Sequence, residues 1–295
     1  MGLLEIKDLE VVPIFRGKCG NALGRGLFHC LSVDKLNELY DRNAHIKGAD
    51  FAAAVLKDLG VEYQLGYAGT SMSREETIEK IRELVGDGPF ITISNHPYGS
   101  LDGVVIADLM AHIRKDYKII VNRILARIKA LEQNFITVTP TGEERTAPTA
   151  ASISGIKQAM LQLRNGGGLG IFPAGAVSDK SIKDGCIRDR QWQEPIIRLI
   201  KKANVPVLPI RFFDGNSSLY YNLGLIDWKV RLLRLPAEVF NKTGKPFRIG
   251  VGKLTSPEEQ KKISDLGAFS NFLRSAVYDM EMPVFSTGVG RTKTV

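Results

Sequence analysis

Asn95-His96-Pro97-Tyr98-Gly99-Ser100-Leu101-Asp102 sets a histidine and a carboxylate with five residues between them at the exit of the apolar run Phe90–Ser94. An imidazole can take up and return a proton near neutral pH. Pro97 denies the preceding residue the α conformation, so His96 is expected extended at a strand tip. After a glycine-containing turn, Asp102 can fold back onto the ring, fix its tautomer and stabilise its charged form. That pair would suit general-base activation of a hydroxyl or an amine. The same residues also admit a loop histidine and a plain helix cap at Asp102.

Two further segments carry weaker signals. In Gly167–Ser178 a strand ends in Phe172-Pro173-Ala174-Gly175, a turn whose backbone amides can cradle a phosphate or an oxyanion. Alone, it also reads as an ordinary strand exit. Asn204-Val205-Pro206-Val207-Leu208-Pro209-Ile210-Arg211 is an apolar strand with prolines suited to a start or an edge. Lys180, Arg188 and Arg211 follow these turns and could meet an anionic headgroup, or simply be solvated cations.

The elements that must position these residues alternate in type. Strands are expected at 90–94, 118–122, 135–139, 169–173 and 206–212, and helices at 102–115, 149–164 and 191–203. The fold class predicted is α/β, a mostly parallel twisted sheet flanked by helices, with an N-terminal helical segment. The periods of Leu31–Tyr40 and Phe51–Leu59 suit helices, and residues 61–67 alternate like a strand. Ser73 and Glu76 form a capping box for a helix ending at Val85. Another capped helix opens at Ser256, with Pro257 at its first position. The division expected is 1–72, 73–256 and 257–295, packed as one unit. Open sheets of this class bind ligands beyond the C-terminal strand ends, where His96 would lie.

The bulk properties narrow the partners. The chain has 295 residues, 44% hydrophobic, with a formal net charge of +8. That balance favours anionic partners, of which a phospholipid surface is one. Helix-turn-helix, ribonucleoprotein and zinc signatures are missing, so no nucleic-acid partner is expected. Cys19, Cys30 and Cys186 match no zinc or disulfide spacing and read as reduced thiols. A serine hydrolase built on Ser94 or Ser100 lacks a nucleophile elbow. No signal peptide or spanning run is visible, so a peripheral protein on the cytoplasmic side of a membrane is expected. Trp192, Tyr220, Tyr221 and Trp228 could form an interfacial belt, and the basic, apolar run 228–235 a surface anchor.

Taken together, Asn95-His96 with Asp102, Phe172-Pro173 with Gly175, and Val205-Pro206 with Pro209 resemble the glycerolipid acyltransferase family. The similarity covers roughly residues 75–255 and is greatest to the bacterial hemolysin-like branch. It implies transfer of a fatty acyl chain from acyl-CoA or acyl carrier protein, as co-substrate, to a lysophospholipid or amino-acid lipid acceptor. No cofactor or metal is implied. In that scheme His96 is the base and Asp102 orients it. Substrate contacts would come from Asn95, Gly99, Phe172, Pro173 and Gly175, with Arg145, Lys180, Arg188 and Arg211 supplying charge. This chain departs from the family pattern in three places. Five residues rather than four separate His96 from Asp102. Ala174 replaces the usual glutamate, and Arg145 is the nearest stand-in for an arginine after the strand at 135–139. The extra residue predicts a bulge at Gly99, the residue best able to take a positive φ. A non-catalytic lipid-binding protein and an N-acyltransferase are the competing readings.

Overall fold

A computed structural model describes residues 31–138 and 150–285. Arg145, Cys19, Cys30 and the final ten residues lie outside the described residues. Seven strands form one sheet: β1 (Tyr63–Tyr67), β2 (Phe90–Ser94), β3 (Lys118–Asn122), β4 (Phe135–Val138), β5 (Gly168–Ile171), β8 (Val207–Phe212) and β9 (Phe247–Val251). Their order is β1-β9-β8-β2-β5-β3-β4, and a short hairpin, β6 (Asp179–Lys180) with β7 (Ile187–Arg188), stands apart. All sheet pairs are parallel except β8 with β9. The architecture is therefore mixed α/β with a mostly parallel sheet.

The helices are α1 (Val33–Asn43), α2 (Gly48–Asp58), α3 (Arg74–Val85), α4 (Ser100–Ile113), α5 (Ala150–Arg164), α6 (Glu194–Ala203), α7 (Ser218–Ile226), α8 (Trp228–Leu233), α9 (Leu235–Phe240), α10 (Pro257–Lys261) and α11 (Leu266–Tyr278). Ser73 and Glu76 close the expected capping box on α3, and Ser256 with Glu259 does the same for α10. The helix predicted from residue 191 begins three residues later, at Glu194, with Pro195 in its first turn.

Every residue of β2 is buried, as expected of a central strand covered on both faces. One face packs against α1 to α4 and α9, which share a core with Phe90, Leu208, Ile210 and Phe247. The other packs against α5, α6 and α11, through Ala159, Leu163, Ile197, Leu273 and Val277. The two helices and one strand read in residues 31–67 thus join the same core and sheet as the rest. Gly170 lets the Tyr117 ring cross the sheet, since a Cβ there would meet its hydroxyl at 2.2 Å.

From β2 the chain passes through α4 to β3 on one side, whereas β8 arrives on the other. The sheet order therefore reverses beside β2. A crevice at the C-terminal strand ends is the consequence of such a switch point.

Candidate active site

Asn95 prolongs the sheet by one residue with its side chain. Its amide donates to the Phe212 carbonyl and its carbonyl accepts from the Phe212 N–H, both at 2.8 Å. This residue, read from the sequence as a substrate contact, is committed to joining the β2 and β8 tips. His96 follows. Its backbone N–H donates to Asp189 Oδ1 at 3.1 Å, and its carbonyl accepts from the Ser178 N–H at 2.9 Å. The turn is braced from the far side. Tyr221 donates its hydroxyl to the Pro97 carbonyl at 2.8 Å, and Asn216 its side-chain amide to the Tyr98 carbonyl at 3.2 Å.

The inserted residue is absorbed where glycine permits it. Gly99 has φ +82°, and a Cβ there would stand 3.0 Å from Leu235 and 3.1 Å from Val177. Two separate constraints therefore require glycine: a positive φ and a close approach. The turn returns the chain so that Asp102 sits in the first turn of α4, fully buried. Its Oδ2 accepts the N–H groups of Tyr98 and Gly99, each at 2.9 Å. The same oxygen lies 2.8 Å from His96 Nδ1. Helix capping and contact with the ring are not alternatives here; one carboxylate does both.

The ring contact is close but bent. Nδ1 is buried and forms no aligned hydrogen bond, and Asp102 Oδ1 is buried without a partner. Catalytic pairs commonly straighten only when substrate is bound. Burial pushes the Asp102 carboxyl above the usual carboxylate range, opposed by His96 and the two turn amides. The Phe172 ring packs over the imidazole at 4.3 Å between centroids. With Nδ1 turned inward to Asp102, Nε2 is the nitrogen left for a substrate.

Phe172–Gly175 thus converges on His96, but its amides are only partly free. Pro173 has no N–H, and the Gly175 N–H closes the turn on the Phe172 carbonyl at 3.0 Å. Gln193 holds the Pro173 and Ala174 carbonyls from below at 2.9 and 3.2 Å. The basic residues divide. Arg211 donates to the Tyr278 and Met280 carbonyls and packs over Phe213, so it fastens the end of α11. Arg188 pairs with Asp184 at 3.1 Å, and Lys180 donates to Asn222 at 2.9 Å; both belong to the β6–β7 hairpin.

Two site residues, Asp189 and Arg231, were not singled out in the sequence, and Ser178, at the end of the Gly167–Ser178 segment, takes a bracing role beside them. Asp189 is buried in a loop, where Oδ1 takes the His96 N–H and the Ser178 hydroxyl, the latter at 2.6 Å. Its Oδ2 takes the Trp192 indole N–H at 3.2 Å. Ser178 ties this carboxylate to the His96 carbonyl. Arg231 is buried too, donating to the Ser178 and Val177 carbonyls at 3.1 and 3.2 Å and pairing with Asp179. The alternative of an interfacial belt is excluded for three of the four aromatics that could have formed one. Trp192, Tyr220 and Tyr221 are core residues, whereas Trp228 is 52% exposed.

A partly exposed histidine backed by a buried aspartate, at the tip of a central strand beside a Pro-Gly turn, suits acyl transfer through a general base. The chain belongs to the acyltransferase family, whose sequence profile it matches over residues 36–284. Two characterised relatives extend over most of its length. A lyso-glycine lipid O-acyltransferase of Bacteroides thetaiotaomicron is 24% identical over 254 residues, covering 84% of this chain and 85% of the relative. A protein of the same description from Phocaeicola vulgatus is 23% identical over 262 residues, 86% of each chain.

Proposed function

We propose that this acyltransferase moves a fatty acyl chain from acyl-CoA or acyl carrier protein onto the hydroxyl of a single-chain amino-acid lipid of the lyso-glycine type. The single observation that carries the reading is the 2.8 Å approach of Asp102 to the inward nitrogen of His96. The relatives' O-acyl specificity supports an oxygen nucleophile.

His96 Nε2 takes the proton of the acceptor hydroxyl as its oxygen attacks the thioester carbonyl carbon. Asp102 balances the imidazolium charge. The tetrahedral oxyanion is met by backbone N–H groups of the Phe172–Gly175 turn, among which Ala174 is the candidate left by the turn's own hydrogen bonding. Collapse breaks the carbon–sulfur bond, and the thiolate leaves with the proton returned by His96.

The acceptor is itself a lipid, so the proposed site of action is a membrane surface. No helix among the described residues is long and apolar enough to cross one. The support for peripheral contact is a set of exposed apolar side chains: Ile182 at 88% exposure, and Ile226 at 80% with Leu225, Trp228, Val230 and Leu232 near it in sequence. Arg231 fastens α8 to the loop that holds His96. An anionic bilayer would also attract the net charge of +8.

The test supplies a radiolabelled hexadecanoyl thioester and a lyso-glycine lipid to the purified protein. Formation of the labelled two-chain product by the wild type, and not by His96→Ala, is expected. Equal product with both proteins would overturn the assignment.

A further inference from the structure

Helix α8 presents two unlike faces. Trp228, Val230 and Leu232 are exposed, whereas Arg231 is buried. The Arg231 stem lies against Gly224 of α7, where a Cβ would stand 2.8 Å from its Cδ. Its guanidinium donates to the Ser178 and Val177 carbonyls at 3.1 and 3.2 Å and pairs with Asp179 at the root of the β6–β7 hairpin. Lys180, the next residue, donates to Asn222 of α7 at 2.9 Å. The hairpin, α7 and α8 are thus tied together on the side facing His96. Ser178 carries the tie onward. Its N–H donates to the His96 carbonyl at 2.9 Å. Its hydroxyl donates to Asp189 Oδ1, the atom that takes the His96 N–H. Ser178 alone therefore separates Arg231 from the His96 carbonyl.

We propose that Arg231 is a positioning residue for His96, and that a bilayer under the exposed face of α8 acts through it to raise turnover. The inference rests on the reading of His96 as the acyl-transfer base. Helix α8 has six residues, too few to be held by its own backbone hydrogen bonds, so its placement depends on packing. In water only its inner face is packed. Lipid covering Trp228, Val230 and Leu232 adds apolar burial on the outer face and restrains the helix from both sides. The charged residues of 228–235 are Lys229, Arg231 and Arg234, all basic, which favours an anionic surface. A guanidinium suits the coupling, because its rigid fork holds two carbonyls and a carboxylate at once. A shift of α8 therefore carries Val177–Asp179 with it. A displacement of about 1 Å at a catalytic group can cost roughly 10²-fold in rate, so a modest restraint at α8 is enough to matter at His96.

The test measures kcat on a short-chain acceptor dissolved as monomers, before and after adding phosphatidylglycerol vesicles. It uses the full chain, Arg231→Lys and Val230→Ser/Leu232→Ser. A lysine can still pair with Asp179 but cannot hold both carbonyls in the guanidinium's geometry, so Arg231→Lys should fold. Vesicles should raise the wild-type kcat roughly tenfold. Arg231→Lys should bind vesicles as the wild type does, keep its KM for the thioester and lose most of that rise. Val230→Ser/Leu232→Ser should lose vesicle binding and the rise together. Amide deuterium exchange over residues 177–179 needs no turnover. It should slow when vesicles are added to the wild type and stay unchanged in Arg231→Lys. A full rise retained by Arg231→Lys would overturn the positioning role, as would a loss by the same factor with and without vesicles. So would a wild type whose kcat ignores vesicles. Absence of transfer by the wild type under both conditions would instead refute the acyl-transfer reading, and exchange over residues 177–179 would still decide the coupling.

Discussion

Two buried carboxylates hold His96, and they do so differently. Asp102 touches the ring, through an oxygen that also accepts two turn amides. Asp189 touches the backbone N–H and ties it to Ser178 and Trp192. Asp102 stands in the first turn of a fourteen-residue helix, where amides and the helix dipole stabilise negative charge. Asp189 stands in an irregular loop and draws its donors from distant segments. The first is placed to act on the proton, the second to fix where the ring stands. Substitution should separate chemistry from position.

The largest effect is expected at His96 itself. His96→Ala should lower kcat by about 10²–10⁴-fold and leave the melting temperature nearly unchanged, since the side chain is partly exposed. Scintillation counting of the acylated lipid, with thermal melting alongside, checks both.

Asp102→Asn comes next. The amide carbonyl can still accept from the Tyr98 and Gly99 N–H groups, but it cannot balance an imidazolium, so kcat should fall by about 10²-fold or more. Stability should move the other way. The folded-state pKa of Asp102 lies above its unfolded value. The folded protein therefore binds this proton more tightly, and the wild type loses stability as pH rises from the ordinary carboxylate range through the raised pKa. Asp102→Asn escapes that loss. Its melting temperature should exceed the wild type's at pH 8, by a margin that shrinks towards pH 4. A variant that is less stable than the wild type at pH 8 would show that the ionised carboxylate is a net stabiliser.

Asp189→Asn should reverse the balance. Its new NH₂ group would face N–H and O–H donors, leaving at least one buried group unpaired at a cost of about 1–3 kcal/mol. Displacement of the His96 backbone should lower kcat by roughly tenfold, with the pH–rate profile unchanged in shape. A shifted profile would place Asp189 in the chemistry and dissolve the contrast between the two acids.

The smallest effect is expected at a residue touching neither carboxylate. Ile226→Ser should leave kcat on detergent-dispersed acceptor unchanged and weaken vesicle binding about tenfold, for roughly 1–2 kcal/mol of lost apolar burial. Sedimentation with anionic vesicles reads it. Equal binding by both proteins would remove Ile226 from the membrane-facing surface.

Much of this arrangement was legible in the residues. The apolar run into Pro97 and the glycine after it announced both the strand tip and the bulge, because proline and glycine restrict the backbone locally. The central parallel strands showed as short apolar runs because they are buried on both faces of the sheet. Long-range pairing was not legible. Asp189 carried no pattern of its own and Arg231 lay within the basic, apolar run 228–235, and only the fold brings Asp189 to His96 and Arg231 to Asp179. Trp192, Tyr220 and Tyr221, among basic neighbours, suited either an interface or a core, and tertiary packing takes all three into the core. Helices α7 to α9 escaped notice because each has nine residues or fewer, too short to display a period. The antiparallel β9 follows them as a five-residue segment interrupted by Arg248 and Gly250.

That His96 and Asp102 act as one unit is tested most directly by single-turnover acyl transfer in His96→Ala, Asp102→Asn and the double variant. Removing either member of such a unit forfeits most of what both provide. We expect the double variant to be no slower than His96→Ala alone. Losses that multiply, or near-wild-type turnover in His96→Ala, would contradict a shared proton-transfer role for the pair.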